Sequence, residues 1–110
     1  MTITRQRRQT IKKQTEAEIT RAIRGCLKSL GVWHWKQWQG PMSQPKGVSD
    51  IIGIWKGRFL AIEVKTQTGR VSEYQQRFID RVIEEGGIAF VARSVDDVID
   101  GLGVRDRFLF

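Results

Sequence analysis

One cysteine, Cys26, among 110 residues excludes an internal disulfide and any zinc site built from cysteines. A lone thiol fits a reducing cytoplasm, which is the expected location. His34 is the single histidine, so a metal site of paired histidines is excluded as well. No apolar run approaches the roughly 20 residues needed to cross a bilayer, and no membrane partner is expected. Met1 to Gln14 lacks the apolar stretch of a secretory signal. It also lacks acid: Arg5, Arg7, Arg8, Lys12 and Lys13 stand without Asp or Glu. Residues 1–14 therefore read as a basic flexible arm, or the frayed start of a helix. Residues 15–110 read as one domain, with neither an internal repeat nor a dividing linker.

The chain is 40% hydrophobic, enough for a modest core. A domain this small buries a limited fraction of its surface, and dimerisation would help it. Its charge is lopsided. Residues 1–58 carry twelve Lys/Arg against Glu16, Glu18 and Asp50, whereas residues 59–110 carry seven against nine acids. A basic half beside a mildly acidic half points to a polyanion, and nucleic acid is the expected partner. A solvated basic tail with ordinary surface charge is the plainer alternative.

Local signals lay out the elements. Thr15 and Glu18 form a T-x-x-E capping box ahead of a helix from about Glu16 to Leu30. Its stripe is Ile19, Ala22, Ile23, Cys26, Leu27 and Leu30, with Gly31 at the C-terminal stop. Val32 to Trp38 reads as a strand, followed by a loop punctuated at Gly40-Pro41 and at Ser43 to Gly47. Asp50–Trp55 and Arg58–Lys65 flank Lys56-Gly57 and predict a hairpin. After a loop over Thr66 to Arg70, Ser72 and Gln75 open a second helix that stops at Gly86-Gly87. Tyr74, Phe78, Ile79, Val82 and Ile83 are its expected inward face. Ile88 to Ala92 reads as a short buried strand, and Ser94 caps a last helix through Leu102. The apolar end Phe108-Leu109-Phe110 should be tucked onto the body or a second copy. The order α-β-β-β-α-β-α predicts an α/β fold, a mixed sheet with helices packed on it.

Counting the hairpin outward from its turn pairs Trp55 with Arg58 and sets Asp50 opposite Glu63. Directly opposed side chains have Cβ atoms roughly 4.5–5.5 Å apart, where two carboxylates repel. A divalent cation between them removes that penalty. Strand alternation puts Phe59, Ala61, Glu63 and Lys65 on one face and Leu60, Ile62 and Val64 on the other. An ammonium beside two metal-binding carboxylates can orient water and stabilise charge on a phosphate. Hard oxygen ligands select Mg²⁺ or Mn²⁺.

Asp50 followed by Glu63-Val64-Lys65 resembles the D…E-x-K signature of the PD-(D/E)xK nucleases, whose core is the restriction-endonuclease-like fold. The wider pattern resembles the VRR-NUC family: an early helical Glu (Glu16), a G-x-P-D step (Gly47-Val48-Ser49-Asp50), E-x-K (Glu63-Val64-Lys65) and an S-x-x-Q helix start (Ser72 to Gln75). The likeness spans roughly residues 15–100. D…E-x-K alone is common by chance; the ordered set is more specific. Ser49 departs from the pattern, where the family prefers proline. The resemblance implies Mg²⁺- or Mn²⁺-dependent hydrolysis of DNA phosphodiesters by a homodimer. It also implies a preference for branched DNA such as flaps or four-way junctions, as in stand-alone, often phage-borne members similar to Holliday-junction resolvases; a phage-encoded chain would work in the host cytoplasm. It implies metal ligands at Asp50, Glu63 and the Val64 carbonyl, with Lys65 as the catalytic lysine.

Glu16 and Glu18 compete for the role of helical glutamate. Glu18 is explained by the cap, while Glu16 lies at the edge of the inward face, so Glu16 is preferred for the metal site. Gln75 has two readings, closing the capping box or standing near the metal and its water. Asp50 and Glu63 are also readable as solvent-facing residues of an edge hairpin, but their opposition and the nearby lysine favour chemistry. Trp33, Trp35, Trp38 and Trp55 read as core or interface rather than base-stacking platforms. Gly69 and Arg70 are readable either as phosphate contacts or as plain loop residues. The rival to an enzyme is a non-catalytic basic nucleic-acid-binding module; a nuclease subunit needing a helicase or other partner is a third reading.

Overall fold

The computed structural model of the chain describes residues 13–108. The elements run α1 (Glu16–Ser29), β1 (Trp33–Lys36), β2 (Ile51–Trp55), β3 (Arg58–Val64), α2 (Glu73–Glu84), β4 (Ile88–Ala92) and α3 (Val95–Leu102), then a 3₁₀ turn (Arg105–Phe108). This is the expected α-β-β-β-α-β-α order. The four strands form one mixed sheet in the order β1-β2-β3-β4. The first two pairings are antiparallel and β3–β4 is parallel. A parallel neighbour requires a crossover connection, and α2 supplies it.

Each helix starts where a side chain caps it. Thr15 and Glu18 exchange both bonds of a capping box at α1, and Ser72 and Gln75 do the same at α2. Ser94 accepts from the Asp97 amide at α3. The hairpin turn has positive φ at both centres, Lys56 at 50° and Gly57 at 79°. That geometry twists in the same sense as the flanking strands, and it fixes the register as Trp55↔Arg58 through Ile51↔Ile62.

Two apolar clusters sandwich the sheet. Leu60, Ile62 and Val64 of β3 and Ile51 of β2 pack with Ile19, Ile23 and Leu27 of α1 and Val98 and Ile99 of α3. On the opposite face, Ile52 and Ala61 pack with Val48 and with Val82 and Phe78 of α2. Burying one such aliphatic side chain contributes about 1.5–3 kcal/mol, so the first cluster carries most of the core. Strand alternation thereby turns Glu63 toward the α2 side, between Ile62 and Val64, which point the other way.

Several expectations need correction. β1 covers Trp33–Lys36, not Val32 to Trp38: its antiparallel ladder ends at Lys36↔Ile51, and the next amide, Gln37, donates to the Asp50 carbonyl outside the ladder. β2 begins at Ile51 and β3 ends at Val64, so Asp50 and Lys65 sit just beyond the strand ends. α1 ends at Ser29, with Leu30 as its cap. Ala22 is exposed, because α1 turns only a narrow stripe to the sheet. Tyr74 and Ile83 are also exposed: α2 covers part of the sheet with Ile79 and Val82 and leaves its flanks to solvent. Trp55 is buried, but Trp33, Trp35 and Trp38 are exposed, since among the described residues no helix covers β1 on the Trp33–Trp35 side. Phe108 remains 38% exposed rather than tucked in, and Leu109 and Phe110 lie outside the described residues. Most of the expected basic arm, residues 1–12, also lies outside them; Lys13 and Gln14 are exposed and precede α1.

Candidate active site

Asp50 is delivered by a loop that has no slack. Gly47 adopts φ +77°, and a Cβ there would lie 2.3 Å from the Tyr74 carbonyl carbon and 2.7 Å from the Gln75 amide nitrogen. Only glycine permits both this backbone conformation and this approach to the start of α2. The loop is held further by Gln39, whose amide nitrogen donates to the Val48 carbonyl at 2.7 Å. Asp50 follows, 7% exposed, and its Oδ2 accepts from the Val64 amide at 2.7 Å. That bond ties the aspartate to the E-x-K segment through main chain.

Glu63 is 1% exposed. The ladder that ends at Ile51↔Ile62 leads next to Asp50 and Glu63, so their carboxyl groups face each other. Two ionised carboxylates would repel there. Glu63 Oε1 finds no donor among the described residues. Burial first, then the hydrogen bond and charge of Asp50, push the Glu63 carboxyl up to about 9. Lys65 opposes this, with its Nζ 3.8 Å from Glu63 Oε2. Lys65 thus lies on the same side as Glu63, as alternation requires.

Gln75 closes the capping box and also reaches Glu63. Its Oε1 accepts from the Ser72 amide at 2.9 Å, closing the capping box. Its Nε2 donates to Glu63 Oε2 at 3.0 Å. The planar amide has an acceptor and a donor on opposite corners, so one side chain starts α2 and aims Glu63.

Glu16 is brought near but not in. It lies exposed on the first turn of α1, and its charge acts weakly on Glu63. Glu18 is spent on the cap, where its Oε1 accepts from the Thr15 amide at 2.8 Å. Among the described residues no three acidic, histidine or cysteine side chains converge on one point. The donor set that the described side chains bring to the centre is therefore the two carboxylates of Asp50 and Glu63. It suits a hard, oxygen-seeking cation: positive charge between Asp50 and Glu63 would remove their repulsion and give Glu63 Oε1 its missing partner.

Arg93 has a role that no sequence motif marks. Its guanidinium donates to the Thr66, Gln67 and Gly69 carbonyls and so holds the loop that follows Lys65. An isolated arginine 28 positions after Lys65 carries no local signal of that role. Ser49, in the place where proline is preferred, is fully buried with its hydroxyl unpartnered among the described residues. Arg70 is exposed and Gly69 supplies its carbonyl to Arg93, which is a structural explanation for the glycine.

Among the described residues no helix is long and apolar enough to cross a membrane. No curated protein matches the chain. Residues 4–96, most of the chain and all of the elements that build the carboxylate cluster, match the family model of the VRR-NUC domain. The chain belongs to the VRR-NUC nuclease family, consistent with the PD-(D/E)xK superfamily.

Proposed function

We propose that this protein is a Mg²⁺- or Mn²⁺-dependent DNA endonuclease that hydrolyses phosphodiester bonds at the Asp50–Glu63–Lys65 cluster. The observation that carries the reading is the pair of buried, opposed carboxylates with one donor-less oxygen and an ammonium 3.8 Å away. A purely structural hairpin gains nothing from that arrangement, because an unpartnered buried carboxylate oxygen is costly.

Asp50, Glu63 and the Val64 carbonyl would hold the cation, with Glu16 approaching from α1. When bound, the cation polarises the scissile phosphate and lowers the pKa of water. Gln75 keeps Glu63 turned into the site through its 3.0 Å bond. Lys65 orients the attacking water and offsets the negative charge that builds on the phosphate. Water adds to phosphorus, the bond to the leaving oxygen breaks, and the leaving oxygen takes up a proton. Branched DNA, as flaps or four-way junctions, is the proposed substrate on the family likeness. A homodimer is supported by the small domain and by the exposed row Trp33, Trp35 and Ile54 beside the open edge of β1.

The test is cleavage of linear duplex, flap and four-way junction DNA with Mg²⁺, Mn²⁺ or EDTA, by the wild type, Asp50→Ala and Lys65→Ala. Cleavage should need metal and disappear in both variants while DNA binding survives. Binding of every substrate without cleavage under any metal condition would instead identify a non-catalytic module. Sedimentation that gives a monomer mass at micromolar concentration would remove the homodimer.

A further inference from the structure

Gln75, which bonds Glu63, lines a hollow of about 410 Å³ together with Ser72, Tyr74, Lys46 and Gly40. Lys46 and Tyr74 also line a second, larger groove of about 530 Å³, so the two adjoin at these residues. The second groove runs between α2 and the tip of the β2–β3 hairpin, with Phe59, Phe78, Arg58, Arg77 and Arg81 on its walls. Glu85 is its single acidic residue.

The cations differ in what they are doing. Arg58 donates to the Gly86 and Gly87 carbonyls, and Arg81 pairs with Glu85 at 2.9 Å, so both brace the groove wall. Among the described residues Lys46 and Arg77 have no comparable anchor. Lys46 Nζ lies 5.3 Å from the centre of the Tyr74 ring and the Arg77 guanidinium 5.8 Å from it, while Arg77 reaches Glu73 only at 3.9 Å with both side chains exposed. Two long-stemmed cations thus sit over an aromatic ring that is 51% exposed, a weak contact at an exposed site that a stacking base displaces, and Phe59 offers a second ring that is 42% exposed.

We infer that this groove binds an unpaired nucleic-acid strand and leads it to the carboxylate cluster. Bases stack on Phe59 and Tyr74, and phosphates lie against Lys46 and Arg77. Alternating rings and cations in a concave track match the alternation of base and phosphate along a single strand. Duplex DNA keeps its base faces stacked internally and offers a groove only its charged exterior, which leaves Phe59 and Tyr74 without a partner. The homodimer proposed above uses the open edge of β1 and not this groove, whose lining is basic apart from Glu85. The inference deepens the nuclease reading and rests on it for the direction of the track, not for the binding itself. It makes the preferred substrate one with a single-stranded flank beside the scissile bond.

The test measures fluorescence anisotropy of the full chain in EDTA, where no cleavage intrudes. The probes are a labelled oligothymidylate of about 12 nucleotides, within the site size of single-strand binders, and a duplex of equal length. Tyr74→Ala and Phe59→Ala should each weaken single-strand binding about tenfold and duplex binding by less than about twofold, with Tyr74→Phe restoring it. Lys46→Ala with Arg77→Ala should flatten the salt dependence of single-strand binding by about 1.4 in log–log slope. Equal losses on both probes, or none, would overturn the inference. So would lost self-association in Phe59→Ala with strand binding intact, which would assign the groove to a second copy. Wild-type cleavage in Mn²⁺ is scored separately. Groove binding without cleavage removes the nuclease reading and leaves this one standing; cleavage with unaffected groove variants does the reverse.

Discussion

Gln75 and Glu63 are joined by a 3.0 Å hydrogen bond from an amide whose other corner caps α2. The start of a helix and the aim of a buried carboxylate are thereby one device. The two roles separate by substitution. Gln75→Glu keeps an acceptor for the Ser72 amide but replaces the donor to Glu63 with an acceptor oxygen. Its helix content should match the wild type while cleavage falls about 10–100-fold, the range for a residue that orients a metal ligand. Gln75→Ala should lose both functions and melt earlier. Unchanged cleavage in Gln75→Glu would show that the bond to Glu63 has no catalytic consequence.

Glu63 sets the pH dependence of the metal-free protein. Its carboxyl is raised from 4.5 to about 9, by burial first and by Asp50 next. The folded state therefore holds a proton that the unfolded chain releases above about pH 4.5. Between these values the folded state binds more protons, so raising the pH destabilises it. In EDTA the melting temperature should fall as pH rises from about 5 to 9, and Glu63→Gln should flatten that fall. Adding Mg²⁺ or Mn²⁺ displaces the proton, so stabilisation by metal should be larger near pH 9 than near pH 6. A wild-type slope retained in Glu63→Gln would assign the titration to another group.

Gly47 is tested by one methyl group. Its positive φ and its contact with the Tyr74 main chain leave no space for Cβ. Gly47→Ala should destabilise the fold by about 1–3 kcal/mol and displace Asp50 from the Val64 amide. Urea unfolding gives the first quantity, and the cleavage rate of the surviving folded fraction reports the second. Wild-type stability in this variant would mean that the loop moves away from α2 without loss.

Ser49 should respond in the opposite direction. Its buried hydroxyl has no partner among the described residues, and an unpaired buried polar group costs about 1–3 kcal/mol. Ser49→Ala removes the hydroxyl and leaves the backbone unchanged. The variant should melt at a higher temperature and cleave DNA as the wild type does. A lower melting temperature would mean that the hydroxyl is satisfied in solution, for example by a buried water.

The sequence by itself determined what depends on near neighbours. Caps three residues apart marked the starts of α1 and α2, because the bonds that form them close within a single turn. Lys56-Gly57 determined the hairpin register, since a two-residue turn leaves no freedom in which residues face each other. From that register alone came the opposition of Asp50 and Glu63 and the side on which Lys65 lies. Tertiary structure decided what depends on distant coverage. Tyr74 and Ile83 fit an inward helical stripe equally well, yet α2 crosses the sheet at a place that leaves both exposed. Trp33 and Trp35 belong to a strand face that no helix covers among the described residues. Glu16 has the spacing of an inward residue but stays in solvent, because a residue on the first turn lies beyond the apolar cluster that buries Ile19 and Ile23. The raised Glu63 carboxyl and its bond to Gln75 arise only when β3, α2 and the Gly47 loop meet, since burial and a charge partner from elsewhere in the chain are properties of the packed molecule.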